Sequence, residues 1–65
     1  MLTLDAKVSL TCVDTNHVAP GTIVRIQGNR VDVALDQGGL MVSLHMKKAG
    51  LYVGSQSGLE FVMKI

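Results

Sequence analysis

The sequence predicts an all-β fold, specifically a small antiparallel barrel of five to six strands. Apolar residues occupy every second position in several segments, beginning with the even positions from Leu2 to Cys12. A period of two is typical of a strand with one buried face and one solvated face. Short turns rich in Gly, Asn and Asp separate these segments. In none of the segments do the apolar residues have the spacing of a helix. A chain of 65 residues is long enough for one domain, which we place at residues 1–65.

The first two predicted strands lie on either side of a polar turn. The first strand runs from about Leu2 to Val13 and ends at the turn-forming segment 14–17. The second strand covers Thr22 to Gln27. Pro20 has no N–H to donate within a sheet, so we expect it to precede this strand.

Residues 28–29, which are Gly and Asn, predict a two-residue hairpin turn between the second and third strands. This turn would place Val24 opposite Val33 in the core and Arg25 opposite Asp32 on the outer face. The apolar faces of the two strands agree in this register, which favours the hairpin.

The third strand is predicted over Arg30 to Asp36 and the fourth over Leu40 to about Met46. A turn at residues 38–39, which are both glycine, would place Val33 opposite Leu44. Apolar residues then remain on one face of the sheet, so an even-length turn is expected.

The last two strands are predicted at Leu51 to Val53 and at Leu59 to Ile65, with a glycine-bounded loop at residues 54–58 between them. The long first strand can pair with the last one. Such pairing would close the sheet into a barrel and remove its exposed edges.

Charge and cysteine content exclude several classes of function. Six basic and five acidic residues leave a formal charge of +1, which argues against strong nonspecific binding to nucleic acid. Cys12 is the single cysteine and lies in phase with the buried face of the first strand, so we expect a buried thiol and a reducing compartment. No apolar run approaches the roughly 20 residues that a membrane-spanning helix needs. We therefore expect a cytoplasmic protein without a membrane partner.

Candidate catalytic and metal-binding residues are few. In the predicted register Asp32 lies opposite His45 on the outer face, and Ser43 is two residues from His45. This face is flat and lacks a glycine elbow or an oxyanion-hole segment, so we interpret the three residues as a solvated row and not as a catalytic triad. His17 has no second ligand at a spacing typical of zinc sites. We expect no enzyme activity, no metal and no cofactor.

Two surface features remain as candidate binding sites. The first is a set of apolar residues in the outward phase of their strands, which would mark an interface if they form a patch. This set consists of Val13, Ile23, Met41 and Val62. The second is a basic set that would contact an anion, a phosphate or RNA, with two members as cross-strand neighbours at Arg30 and Lys47. The basic set consists of Arg25, Arg30, Lys47 and Lys48.

Two segments, PGTIVRIQGNRVDVALD at residues 20–36 and SGLEFV at residues 57–62, resemble a reduced PilZ-type barrel. In that family a Gly-Thr-Val-Val-like strand precedes the central hairpin, and a Gly-Leu-Glu-Phe-Val-like strand closes the barrel. PilZ domains typically bind cyclic di-GMP through a paired-arginine segment and an Asp-x-Ser-x-x-Gly segment, and this sequence contains neither. The resemblance therefore implies a barrel that acts through protein contacts, and it leaves open whether any cyclic dinucleotide binding is retained.

The segment GTIVRIQGNRVDVALDQGG also resembles SH3-like barrels of the KOW kind. Such barrels often contact RNA or ribosomal partners. We therefore carry two hypotheses of function. The first is a non-enzymatic barrel that acts as a protein-interaction or self-associating adaptor module, since association as a homo-oligomer would also stabilise so small a domain. The alternative is a barrel that binds RNA or a nucleotide phosphate through the basic set.

Overall fold

A computed structural model of the chain describes residues 2–65, which form a closed barrel of six antiparallel strands. In chain order the strands are β1 Lys7–Cys12, β2 Val18–Gln27, β3 Arg30–Leu35, β4 Met41–Lys48, β5 Leu51–Gln56 and β6 Leu59–Lys64. The predicted all-β barrel is therefore confirmed. No helix occurs over residues 2–65, and so none there is long and apolar enough to cross a membrane. Met1, which belongs to the predicted domain, lies outside the described residues.

Each strand pairs with its neighbour in the chain, and β1 pairs with β6 to close the barrel. Within residues 2–65 this closing ladder is short, because its registered pairs are only Thr11 with Val62 and Cys12 with Phe61. The ladder between β5 and β6 is longer and runs from Leu51 to Gln56 on the β5 side. The barrel therefore has one weakly paired line along its wall, between β1 and β6.

Ten buried apolar residues of the described range 2–65 fill the inside of the barrel. They are Leu10, Cys12, Ile23, Val31, Val33, Val42, Leu44, Tyr52, Phe61 and Met63. The inward orientation predicted for Leu10, Val33, Leu44 and Phe61 is confirmed. Within residues 2–65 no buried polar or charged residue interrupts this core.

The beginning of the chain departs from the predicted first strand. β1 starts only at Lys7, because Asp5 adopts a positive φ of 66° and interrupts the extended backbone. The Asp5 N–H donates to the carbonyl of Ile23 at 2.7 Å, and the Ile23 N–H donates to the carbonyl of Ala6 at 3.0 Å. Leu4 was predicted to face the core, but it is 60 % exposed.

β2 starts at Val18, earlier than predicted, and includes Pro20. Pro20 lies opposite Ser9 of β1, whereas the ladder to β3 begins at Gly21. The Pro20 carbonyl accepts a hydrogen bond from the Asp36 N–H at 3.0 Å, just beyond β3. The missing N–H of Pro20 therefore lies at the end of the ladder between β2 and β3 and interrupts none of its registered pairs.

A β-bulge in β2 overturns one predicted interface residue. The hairpin pairs Arg25 with Asp32 as predicted, but the register shifts between Ile23 and Arg25. Ile23 consequently lies opposite Val33, in the position predicted for Val24. Ile23 is 1 % exposed and Val24 is 41 % exposed, so the predicted outward orientation of Ile23 is wrong. A bulge adds one residue to one strand, so the β2 side chains that precede the bulge have inward and outward orientations opposite to those predicted.

The turn between β3 and β4 is longer than predicted. It covers residues 36–39, and the Leu35 N–H donates to the carbonyl of Leu40 at 2.7 Å. Val33 therefore lies opposite Val42 instead of Leu44. Because the shift is by two residues, the same side chains still face the core.

β5 extends to Gln56, beyond its predicted end at Val53. Ser57 and Gly58 form the turn that follows, and both have a positive φ. The last hairpin is therefore tighter than the glycine-bounded loop predicted at residues 54–58.

Candidate functional site

Outward side chains of β5, β6 and β1 form an apolar surface over the line where the barrel closes. Val53 of β5 lies opposite Val62 of β6, and Val62 lies opposite Thr11 of β1. The row continues to Val18 of β2, which lies opposite Thr11 and is 62 % exposed. We call the part of this surface that lies on β5, β6 and the end of β1 the seam face. Its members are Thr11, Val13, Leu51, Val53 and Val62.

A groove of about 520 Å³ lies on the seam face. It lies where β1 and β6 stop pairing, since the next outward-facing pair after Thr11 and Val62 would be Ser9 and Lys64, and these two are not in register contact. The lining residues are Ser9, Thr11, Val13, Asn16, Leu51, Val62 and Lys64. Apolar side chains in an open groove suit contact with the surface of a protein.

Charges of opposite sign mark the two ends of the seam face. At one end, the backbone N–H of Glu60 donates to the carboxylate of Asp14 at 2.9 Å. At the other end, Lys64 and Lys48 lie on either side of Leu51. The Glu60 and Lys64 side chains are exposed, and neither forms an ion pair within the described part of the chain. The seam face thus has an acidic end and a basic end.

The structure separates the apolar residues that the sequence predicts at an interface. Val13 and Val62 both line the groove. Val13 is 53 % exposed, so its outward orientation is confirmed. Met41 also faces outward, at 48 % exposure, but it lies on β4 opposite Ala34 and outside the groove. Ile23 belongs to the core, and the interface role of the other three residues stays a prediction.

The predicted basic set is spread along the outer surface from β2 to the end of β4. Arg30 lies opposite His45 and not opposite Lys47, because the turn between β3 and β4 is longer than predicted. Its Nη2 donates to the hydroxyl of Ser43 at 3.3 Å. Lys48 lies opposite Leu51, beyond an irregularity in β4, and so belongs to the basic end of the seam face.

Asp32 organises the polar contacts between β3 and β4. Its carboxylate accepts a hydrogen bond from the Ser43 hydroxyl at 2.8 Å and lies 3.4 Å from Nε of Arg30. The Ser43 hydrogen bond, and then the charges of Arg30 and Arg25, lower the pKa of Asp32 below its ordinary value. Asp32 lies opposite Ser43, so its predicted pairing with His45 is wrong. The Ser43 hydroxyl donates directly to a carboxylate, with no imidazole between them.

Cys12 is 4 % exposed, and the predicted burial of its thiol is confirmed. Hydrogen bonding to the side chain of Thr15 lowers the pKa of the thiol, although burial acts in the opposite direction. Cys12 lies opposite Phe61 in the closing ladder. Its side chain therefore packs beneath the seam face as part of the core.

Sequence reasoning missed most of the residues that line the groove. A signal for two of them was present at residues 57–58, since a two-residue turn there places Leu51 opposite Lys64. The sequence predicted closure between the first and last strands but gave no register for it. The contact between Thr11 and Val62 was therefore not predictable from local patterns.

Residues 2–65 contain no group of three or more His, Cys, Asp or Glu side chains placed to hold a metal ion. Comparisons with protein-family models, curated proteins and solved structures found no match to this chain.

Proposed function

We propose that this chain is a non-enzymatic protein-interaction module that associates with itself through the seam face. The observation that carries the proposal is the row of outward side chains Val53, Val62 and Thr11, which borders an open groove whose apolar lining is Val13, Leu51 and Val62. Apolar side chains grouped on an outer surface and bordered by charges are typical of protein contact sites. The inside of the barrel is filled by its own side chains, so the outer face is the surface available for binding.

Self-association would also stabilise the barrel. In so short a chain, the burial of ten apolar residues stabilises the fold by only slightly more free energy than the loss of conformational entropy costs. Burying the seam face removes further apolar area from water, at about 25 cal/mol per Å². A complex that forms only from the folded state raises the apparent stability by mass action.

The two family resemblances support different functions. A reduced PilZ-type barrel without the cyclic di-GMP motifs implies protein contacts, as proposed here. A KOW-type barrel implies RNA contacts through the basic set. The geometry favours RNA binding less, because Arg30 already donates to Ser43 and lies next to the carboxylate of Asp32.

The proposal predicts that Val62→Asp weakens self-association. Val62 lies at the centre of the seam face, and an unpaired carboxylate is costly to bury in an apolar contact. We expect a dissociation constant at least about tenfold higher than that of the wild-type chain. Light scattering over a range of protein concentrations, at low and high salt, measures this change. High salt screens the charges at the two ends of the seam face but not its apolar contacts, so the wild-type chain should still associate at high salt.

Met41→Asp is the matched control, because it places the same charge on an exposed apolar position outside the groove. It should associate like the wild-type chain, and circular dichroism should show that both variants remain folded. A wild-type chain that is monomeric at every concentration would contradict the proposal. So would a Val62→Asp variant that associates as strongly as Met41→Asp.

A further inference from the structure

We infer that the occupant of the seam face is a second copy of this chain, packed face to face so that the two β6 strands run antiparallel about a two-fold axis. This inference rests on the proposed function and adds the orientation of the partner. It is carried by the order of outward residues on β6, which is Glu60, Val62 and Lys64. Phe61 and Met63 between them are 4 % and 1 % exposed and face the core.

The two charged residues are placed symmetrically about Val62. Each is two residues away along the strand, which corresponds to about 7 Å. A two-fold contact uses the same surface patch on both copies. Because Val62 lies midway between the two charges, the two-fold axis should pass next to Val62.

The charges decide between two possible directions of that axis. With the axis parallel to β6, Glu60 would face Glu60 of the second copy, and Lys64 would face Lys64. With the axis perpendicular to β6, Glu60 faces Lys64 of the second copy at both ends of the contact. Like charges opposed across an interface are strongly unfavourable, so the perpendicular axis is selected.

The neighbours of these residues fit the same arrangement. Val13 lies beside Glu60, to whose carbonyl its N–H donates, and Ser9 and Lys64 both line the groove further along β1 and β6. The perpendicular axis therefore brings Val13 of one copy over Ser9 of the other. On β5 it brings Leu51 over Ser55, since these lie opposite Lys64 and Glu60. Larger apolar side chains meet small ones, which allows two sheet faces to approach closely.

The flanking elements carry charge of the same sign as β6 at each end of the seam face. Asp14 accepts the hydrogen bond from the Glu60 N–H, so two carboxylates lie at the acidic end. Lys48 and Lys64 lie at the basic end, on either side of Leu51. Over residues 2–65 neither Glu60 nor Lys64 has an intramolecular ion pair to break before it binds the second copy.

Charge reversal tests this orientation. Glu60→Lys and Lys64→Glu should each raise the dimer dissociation constant about tenfold or more, because each creates two like-charge contacts. The double variant with both changes should return to the wild-type value, since both opposite-charge contacts are restored. An equimolar mixture of the two single variants should form a heterodimer. Sedimentation velocity from about 1 μM to 1 mM measures the constants, and native mass spectrometry identifies the heterodimer.

The set of variants controls for net charge, because the single changes shift it in opposite directions and the double variant keeps it. In the alternative arrangement, with the axis parallel to β6, the single variants would dissociate like the wild-type chain. That result, or a double variant that is not restored, would overturn the antiparallel arrangement while the effect of Val62→Asp still supported the proposed function. If the wild-type chain were monomeric, both the proposed self-association and the inference that a second copy occupies the seam face would be wrong.

Discussion

Gly54 determines how closely two strands of the barrel approach. It lies on β5, and a Cβ at this position would collide with the carbonyl oxygen of Ser43 and come within 3.0 Å of Cδ2 of Leu44. Its φ lies outside the left-handed region, so glycine is needed here for space and not for backbone conformation. Gly58 is the opposite case, because its φ is +77° and no atom of residues 2–65 lies within 4 Å of an added Cβ.

Gly54→Ala should lower the free energy of unfolding by about 2 kcal/mol or more, because the methyl group must push β4 and β5 apart. Gly58→Ala is the matched control and should cost about 1 kcal/mol, from the left-handed backbone alone. Urea unfolding followed by circular dichroism measures both values. Equal losses in the two variants would show that β4 and β5 separate at little cost.

The ladder between β1 and β6 is the weak element of the barrel. The Cys12 N–H donates to the carbonyl of His17, towards β2, whereas the Val13 N–H donates to the carbonyl of Glu60 on β6. Amides therefore alternate in direction along β1, and that of Ser9 is directed towards β6. Among the described residues, registered pairing with β6 ends at Thr11, so the Ser9 amide faces the groove without a ladder partner across it.

The amide of Ser9 should exchange with solvent about tenfold or more faster than that of Leu10, which is directed towards β2. Hydrogen exchange followed by nuclear magnetic resonance and corrected for intrinsic rates measures the ratio. If the two amides were equally protected, the ladder between β1 and β6 would extend to Lys64 in solution.

Within the strands, the inward or outward orientation of side chains was predicted more accurately than their cross-strand pairing. An error of two residues in the turn between β3 and β4 moved Val33 from Leu44 to Val42 but left both faces intact, because the alternation has a period of two. The bulge in β2 adds a single residue, so it reversed the orientations of Ile23 and Val24. No local pattern signalled that extra residue.

The candidate site was predictable only in part. Val13 was predicted to face outward from the alternation within its own strand, and Val62 was predicted in the same way from β6. Their position in one groove depends on the register between β1 and β6, which are far apart in the sequence. Sequence spacing within each strand contains no information about that long-range register.

Over the whole molecule, charge is nearly balanced and partly paired. The formal charge is +1. Nζ of Lys7 lies 3.3 Å from Oδ1 of Asp36, and Nε of Arg30 lies 3.4 Å from Oδ1 of Asp32. Affinity for nucleic acid depends on how many phosphates a protein neutralises, so this distribution favours weak binding at most.

Filter binding of mixed-sequence RNA should therefore show no salt-sensitive retention between about 50 and 200 mM salt. Retention that falls steeply with salt would instead favour the RNA-binding alternative. In that case Arg25→Ala with Arg30→Ala, compared with Lys47→Ala with Lys48→Ala, would show which part of the basic set contacts the phosphates.

The order of strands in the barrel also has a consequence for how the chain folds. Five of the six ladders join strands that are consecutive in the chain, so each can form as a local hairpin. The contact of Thr11 with Val62 instead closes a loop of about 50 residues, and loop-closure entropy opposes it most strongly. The pairs Thr11 with Val62 and Cys12 with Phe61 should therefore form late in folding and separate early in unfolding.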